Sequence, residues 1–263
     1  MANFGRWADY IAEISSGYVP RERALECTRG IVEMKSYFAK LIEERRQRPT
    51  DDLVSAVVTA REDEERPLEV PEILELIGIF VAGGSESTAS LLGSTLYLLL
   101  THPDQFAQVR ADHRLIPQMI EEVLRFQPPV QWNLRTVMIE GVSVGEVAIP
   151  PRSRVMLGWD AASRDPERFG PEADRFDIFR KGPPHAAFGH AYHFCLGAPL
   201  ARLEARIAYE QLFSRLSHIE LAVPAEQLSF VALRMVRRLE SRLCASPRLA
   251  PRSGDGPMTF VIT

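Results

Sequence analysis

A cysteine set among glycines at the mouth of a long helix is the residue in this chain best suited to hold a metal. The stretch Phe188-Gly189-His190-Ala191-Tyr192-His193-Phe194-Cys195-Leu196-Gly197 runs without a break into the helical pattern Ala198 to Leu216. Unpaired N–H groups and the positive dipole end of that helix favour an anion beside them, so Cys195 is expected as a thiolate. The glycines let backbone approach a flat ligand closely. Taken alone, Cys195 also reads as a buried structural cysteine, and His190, His193 and Cys195 as part of a zinc site, although no fourth ligand lies at usable spacing.

A second stretch with chemistry is Gly83-Gly84-Ser85-Glu86-Ser87-Thr88, in the middle of an otherwise apolar helix that begins at Pro71. Each glycine costs a helix about 1 kcal/mol, so the pair calls for a reason. One reason is close helix packing. The other is room for a ligand, with Glu86 and Ser87 managing protons inside a mostly apolar pocket. A third candidate is Glu122 and Arg125, on one helix face at i, i+3 and followed by Pro128-Pro129; an exposed pair of this kind contributes only a few tenths of a kcal/mol.

The elements that must position these residues are mostly helices. Trp7 to Ile14 carries apolar residues at helical spacing, Gly17 and Pro20 interrupt it, and Arg21 to Arg48 resumes with Ile31, Met34, Phe38 and Leu41 on one stripe. Thr50 or Asp51 is the expected N-cap of the next helix. The run Arg61 to Arg66 reads as a solvated loop. Thr101-His102-Pro103 ends the apolar helix and starts another. Val142 to Leu157 alternates apolar and polar residues around Gly145-Glu146 and Pro150-Pro151, which predicts short strands joined by turns. After the cysteine, Leu200, Leu203, Ile207, Tyr209, Leu212 and Leu216 predict an apolar face toward the core, with Arg202 and Arg206 elsewhere. Those arginines read equally as a docking face for an acidic partner and as a solvated helix face. The predicted fold is mainly α with small β elements, in one domain over residues 1–245. Residues 246–263, rich in Pro, Arg, Ser and Gly, are expected to be a disordered tail.

Composition narrows the function. The 263 residues, 46% apolar and 25% charged, can bury a real core. A net charge of -4 with interleaved signs gives no nucleic acid as main partner. The region Leu74 to Leu100 would bury Glu86 if it spanned a membrane, so a protein core helix and no membrane is the expectation. Cys27, Cys195 and Cys244 are odd in number and far apart, and Met1 to Tyr18 lacks the pattern of a secretory leader; both fit a reducing cytoplasm.

Read together, these stretches resemble the cytochromes P450. Phe188-Gly189, His193, Cys195 and Gly197 are similar to that family's haem-binding signature, with Ala191 where the family has a second glycine. Gly83-Gly84-Ser85-Glu86-Ser87 looks like its distal helix, with Glu86 at the acid position and Ser87 at the alcohol position, where threonine is more common. Glu122 and Arg125 look like its structural pair, and Arg175, in Ala173-Asp174-Arg175-Phe176, occupies the position of the third partner.

The resemblance implies a P450-like fold, N-terminally incomplete because the family's first third has no counterpart here. It implies haem b (iron protoporphyrin IX) with Cys195 as iron ligand, Phe188, Gly189 and Gly197 shaping its loop, and Gly83 and Gly84 beside it. Arg135 and His193 are the propionate candidates it suggests, and residues 130–134 line the substrate side. Glu86 and Ser87 are then catalytic, delivering protons to bound dioxygen. The implied activity is a haem-thiolate monooxygenase acting on a small apolar organic substrate, with electrons from NAD(P)H through a ferredoxin or flavodoxin-type donor. A second chain completing the fold is the implied further partner. The alternatives are a haem-binding or auxiliary protein without turnover, and an all-helical interaction module that never binds haem.

Overall fold

Apolar residues spaced three and four apart wind the chain into helices that share two separate cores. The computed structural model describes residues 2–15, 19–60, 66–221, 223–228, 230–233, 236–239, 246–247 and 258–262. The chain divides into two compact units, Met1–Glu86 and Ser87–Thr263, with the boundary inside a single helix.

The first unit holds α1 (Ala2–Ser15), α2 (Arg21–Gln47), α3 (Leu53–Thr59) and the first half of α4 (Val70–Thr101). Its core is Trp7, Met34, Phe38, Ile42, Val58, Ile73 and Ile77. Helices α1 and α2 meet so closely that a Cβ on Gly30 would lie 2.2 Å from the Tyr10 ring, so only glycine fits. Arg23 joins the two helices by pairing with both Glu13 and Glu26. Cys27 is fully buried beside them. The cap of α3 is Asp52, one or two residues past the expected position. Its Oδ1 accepts the Ser55 N–H at 2.7 Å while the Thr50 hydroxyl donates to its other oxygen, so Thr50 supports the cap without being it. Of the charged run 61–66, residues 61–65 lie outside the described residues; Arg66 pairs with Glu72.

In the second unit, α4 continues and is followed by α5 (Pro103–Ala111) and α6 (Ile116–Phe126). Strands β1 (Trp132–Thr136), β2 (Ser143–Val144), β3 (Val147–Ala148) and β4 (Arg154–Gly158) come next; the last three fall, to within a residue, where the alternation from Val142 to Leu157 predicts strands, and β1 lies before that stretch. Strand β1 pairs antiparallel with β4, Arg135 opposite Val155, and β2 pairs with β3 across a turn in which Gly145 adopts φ 58°. Short helices α7 (Trp159–Ala162) and α8 (Pro166–Phe169) lead through an irregular stretch to α9 (Ala198–Arg215) and β5 (Leu216–Leu221). A hairpin of β6 (Phe230–Leu233) and β7 (Val236–Leu239) follows.

The core of this unit gathers Leu91, Leu98 and Leu99 from α4, Met119, Ile120, Val123 and Leu124 from α6, Phe176 and Ile178 from the irregular stretch, and Tyr209 and Phe213 from α9. Each such side chain contributes roughly 1.5–3 kcal/mol by leaving water. Helix α4 is long and apolar enough to cross a membrane by length and composition alone. Its Ile73 and Ile77 belong to the first core and its Leu91, Leu98 and Leu99 to the second.

One expectation is corrected here. Leu200, Leu203 and Ile207 are exposed; the buried face of α9 is Ala198, Ala205, Tyr209 and Phe213. The small alanines let α9 lie close to its neighbours, and the larger leucines are left outside. Residues 246–263, expected to be disordered, contain β8 (Ser246–Pro247) and β9 (Met258–Ile262). Strand β9 pairs parallel with β5 and antiparallel with β8. The run Met-Thr-Phe-Val-Ile has the β-branched and aromatic content that favours a strand over the coil suggested by its flanks. Residues 248–257 and Cys244 lie outside the described residues.

Candidate functional site

The cysteine loop is a closed backbone turn. The Cys195 N–H donates to the Phe188 carbonyl at 2.8 Å, and the six-residue excursion between them is folded by three further bonds. Gly189 N–H reaches the Ala186 carbonyl at 2.9 Å, His193 N–H the His190 carbonyl at 3.2 Å, and Phe194 N–H the Ala191 carbonyl at 2.9 Å. Gly189 sits at φ 75°, and a Cβ there would meet the His193 carbonyl oxygen at 2.9 Å, so both conformation and space demand glycine. Ala191, the position that departs from the resembled signature, is held at φ 50°. Alanine therefore adopts the left-handed conformation that glycine would take freely.

Helix α9 starts directly behind the loop. Gly197 is its N-cap residue, and the Ala198 N–H donates to the Cys195 carbonyl at 3.2 Å. A Cβ on Gly197 would stand 3.8 Å from Cys195 Sγ, so glycine keeps that side of the sulfur uncovered. Cys195 is exposed, which removes the buried structural reading. Tyr192, Phe194 and Leu196 beside it are exposed as well, giving the thiol an apolar surround open on its outer side. Among the described residues no three His, Cys, Asp or Glu side chains are grouped as metal ligands, so His190, His193 and Cys195 do not make a zinc site.

Helix α6 also carries a buried charge network. Arg125 Nε and Nη2 donate to Glu122 Oε2 and Oε1 at 2.7 and 2.8 Å. Arg125 Nη1 donates to the Ser163 and Ala173 carbonyls at 2.9 and 2.7 Å, and Nη2 also to the Arg175 carbonyl at 3.1 Å. The expected third partner, Arg175, contributes only this carbonyl; its side chain is 75% exposed and pairs with Glu172. The guanidinium that joins Glu122 is that of Arg180, 12% exposed, with Nε 3.5 Å from Oε1. The turn from Glu172 to Arg180 explains the exchange, since Arg180 Nη2 donates to the Glu172 and Arg175 carbonyls and folds back over Glu122.

A second network went unread in the sequence. Glu121 points away from its buried neighbour and accepts from Arg202 Nε at 2.6 Å and Nη2 at 2.9 Å, with His185 Nε2 at 3.2 Å. Burial pushes the Glu121 carboxyl up, but the bonds from Arg202 and His185 outweigh it and hold it at about 2. The same bonds push Arg202 up, against desolvation, and the nearby Cys195 adds to that effect. Arg202 is therefore committed to Glu121, while Arg206 is half exposed with only a 3.8 Å contact to Glu210. An open groove of about 280 Å³ lies here between α6 and α9, with Ile120 and Leu203 on its walls. The doubled glutamate before Val123 was the one sequence signal for this network.

The other predicted residues fall apart in the two units. Arg135 is half-buried on β1, where its Nη1 donates to the Leu134 carbonyl, and it has no carboxylate partner among the described residues. His193 is exposed in the cysteine loop. In residues 130–134, Asn133 Oδ1 accepts the Trp159 indole N–H at 2.6 Å, tying β1 to α7. Gly83, Gly84 and Glu86 belong to the first unit and Ser87 to the second; Glu86 and Ser87 are half-buried. A Cβ on Gly83 or Gly84 would meet nothing within 4 Å among the described residues, so close packing against those residues does not account for the pair.

Comparisons with known proteins fall in one place. The Cytochrome P450 family model matches residues 7–229. The 6-deoxyerythronolide B hydroxylase of Saccharopolyspora erythraea is 37% identical over 243 residues, 91% of this chain and 58% of that protein. The Cytochrome P450 monooxygenase PikC of Streptomyces venezuelae is 39% identical over 211 residues, 80% of this chain and 50% of its own length. Among solved structures, Cytochrome P450 CYP109Q5 from Chondromyces apiculatus aligns at TM-score 0.79 and 37% identity, over 91% of this chain and 57% of that one. Ligand-free Cytochrome P450 TbtJ1 aligns at TM-score 0.83 and 34% identity, over 90% and 62%. The chain thus spans half to three fifths of the length of these relatives. With the cysteine loop, the buried Glu122–Arg125 pair and a family match running from Trp7 to residue 229, the chain belongs to the cytochrome P450 family.

Proposed function

We propose that the chain works as a haem-thiolate monooxygenase that inserts one oxygen atom from O2 into a small apolar organic substrate. The observation that carries the reading is the presentation of Cys195: its backbone is closed onto Phe188, its sulfur is left uncovered by Gly197, and its surround is apolar and open. A single outward thiol suits a metal whose remaining ligands come from a flat organic ring, and the exposed Phe194 and Leu196 suit the apolar body of haem. Relatives named as hydroxylases and monooxygenases support the same reaction class.

When bound, haem would supply the oxygen chemistry, which a thiolate ligand favours. The chain's own residues do the rest. Cys195 binds iron, and Phe188, Gly189 and Gly197 hold its loop in shape. Arg135, whose guanidinium has no carboxylate partner among the described residues, and His193 bind the propionates. Gly83 and Gly84 leave space on α4, and there the Glu86 carboxylate and the Ser87 hydroxyl hold and pass protons. Electrons come from NAD(P)H through a ferredoxin or flavodoxin-type donor, for which the groove on α9 beside Arg206 offers a cationic and apolar surface. A second polypeptide completes the fold, and the complex works in the cytoplasm.

The ferrous–CO absorption spectrum of the chain reconstituted with haem tests this directly. A Soret band red-shifted in the manner of thiolate ligation, lost in Cys195→Ser, is the expected result. A band typical of a neutral axial ligand, or the same band in Cys195→Ser, overturns the assignment.

A further inference from the structure

We propose that Glu121 is a positioning residue for the cysteine loop, holding Phe188 in place through Arg202 and His185. Glu121 and Glu122 are adjacent on α6 and therefore face about 100° apart, so their work is separate. Glu122 is enclosed by Arg125 and Arg180, whereas Glu121 reaches across to α9 and to the segment that enters the loop.

The geometry runs from one carboxylate to the thiol in three steps. Both Glu121 oxygens are engaged by the Arg202 fork, and Oε2 is shared with His185. The Ala187 N–H donates to His185 Nδ1 at 3.2 Å, so Nδ1 is the acceptor and the ring hydrogen on Nε2 is aimed at Glu121. Both residues bear on Phe188: the Arg202 guanidinium carbon stands 4.5 Å from the ring centroid, and the His185 ring lies 6.0 Å away, tilted 43°. The Phe188 carbonyl in turn accepts the Cys195 N–H.

An exposed ion pair contributes little, and Glu121 is 44% exposed. What separates it from such a pair is that its histidine partner is 7% exposed and its arginine partner is stacked on the loop. Without the carboxylate, His185 keeps a buried N–H with no acceptor and Arg202 is free to leave the Phe188 ring. The Phe188–Cys195 bond then opens more often. The consequence for catalysis rests on the reading of Cys195 as the iron ligand; the effect on the loop does not.

The test therefore starts with the haem-free full chain. The rate at which iodoacetamide labels Cys195 is followed by peptide mass spectrometry, which separates it from Cys27 and Cys244. Glu121→Gln and Arg202→Gln are each expected to raise the rate about threefold to tenfold, the double variant no further than the faster single one, and Glu121→Asp much less. Unchanged rates, or rises that multiply in the double variant, overturn the proposal. If Glu121→Gln does not fold, Arg202→Lys, which keeps the charge and loses the fork, must still raise the rate for the proposal to stand. In the haem-loaded chain, Glu121→Gln should lower the share of the thiolate-type ferrous–CO band at equal haem content, and an unchanged share contradicts it. If the unsubstituted chain shows no such band, the reading of Cys195 as iron ligand fails, and the labelling rates alone still decide the role of Glu121.

Discussion

Arg125 donates through two nitrogens to both oxygens of Glu122 at a depth where the two side chains are only 4% and 5% exposed. Every other nitrogen-borne bond of Arg125 goes to a backbone carbonyl of the stretch that leads toward the cysteine loop. Removing one partner strands a buried charge, which costs about 3–5 kcal/mol. Arg125→Ala should show that loss as a lower urea midpoint. A change below about 1 kcal/mol would mean that the network is dispensable.

Ala191 at φ 50° stores strain in the loop. Relieving a left-handed alanine gains about 1–2 kcal/mol, less the extra freedom that glycine brings to the unfolded chain. Ala191→Gly is thus expected to stabilise by up to about 1 kcal/mol. Gly189→Ala should do the opposite, because its Cβ would meet the His193 carbonyl. Thermal melts of the two variants check both signs.

Acid should weaken the chain through Glu121. Its carboxyl is held at about 2 in the fold against an ordinary 4.5, so the unfolded chain takes up the proton first as pH falls. The stability that this group contributes is fully present above 4.5 and is lost as pH drops toward 2. Urea midpoints measured across that window should fall less steeply in Glu121→Gln, which starts lower. Parallel slopes would show that Glu121 titrates as it does in the unfolded chain.

Alkali acts through Tyr209. Burial pushes this phenol well above its ordinary 10.0, against a smaller opposing effect from Thr95, and its hydroxyl donates to the Leu92 carbonyl. The unfolded chain therefore loses the proton first, and stability declines as pH rises past 10.0. Tyr209→Phe should flatten that decline. Equal decline in both chains would place the alkaline sensitivity elsewhere.

Glu86→Gln keeps the shape of the side chain and removes the proton chemistry proposed for it. The expected outcome is turnover lowered about 100-fold with haem content unchanged. Unchanged turnover would remove Glu86 from proton delivery.

What the sequence made legible is what depends on local order. The cysteine lies within a few residues of its glycines and of the helix behind it, Glu122 lies three residues from Arg125, and short spacing fixes the geometry of each group. Arg180 escaped because its approach to Glu122 depends on how the stretch from Glu172 onward turns back, which spacing along the chain does not encode. The buried face of α9 was misread because leucines occupy one side and small alanines the other; close approach to neighbours selected the alanines. His185 and Arg202 meet at Glu121, 64 and 81 residues away, and no periodicity announces such a meeting.

Gly83 and Gly84 set a ceiling on how hot the chain can run. Alanine at either position would collide with none of the described residues and would favour the helix by about 0.8–1 kcal/mol. Two such exchanges would raise the melting temperature by several degrees. The chain forgoes that heat tolerance at the middle of its longest helix, beside the carboxylate and hydroxyl of Glu86 and Ser87, so thermostabilised variants made there would trade endurance against whatever the open helix surface admits.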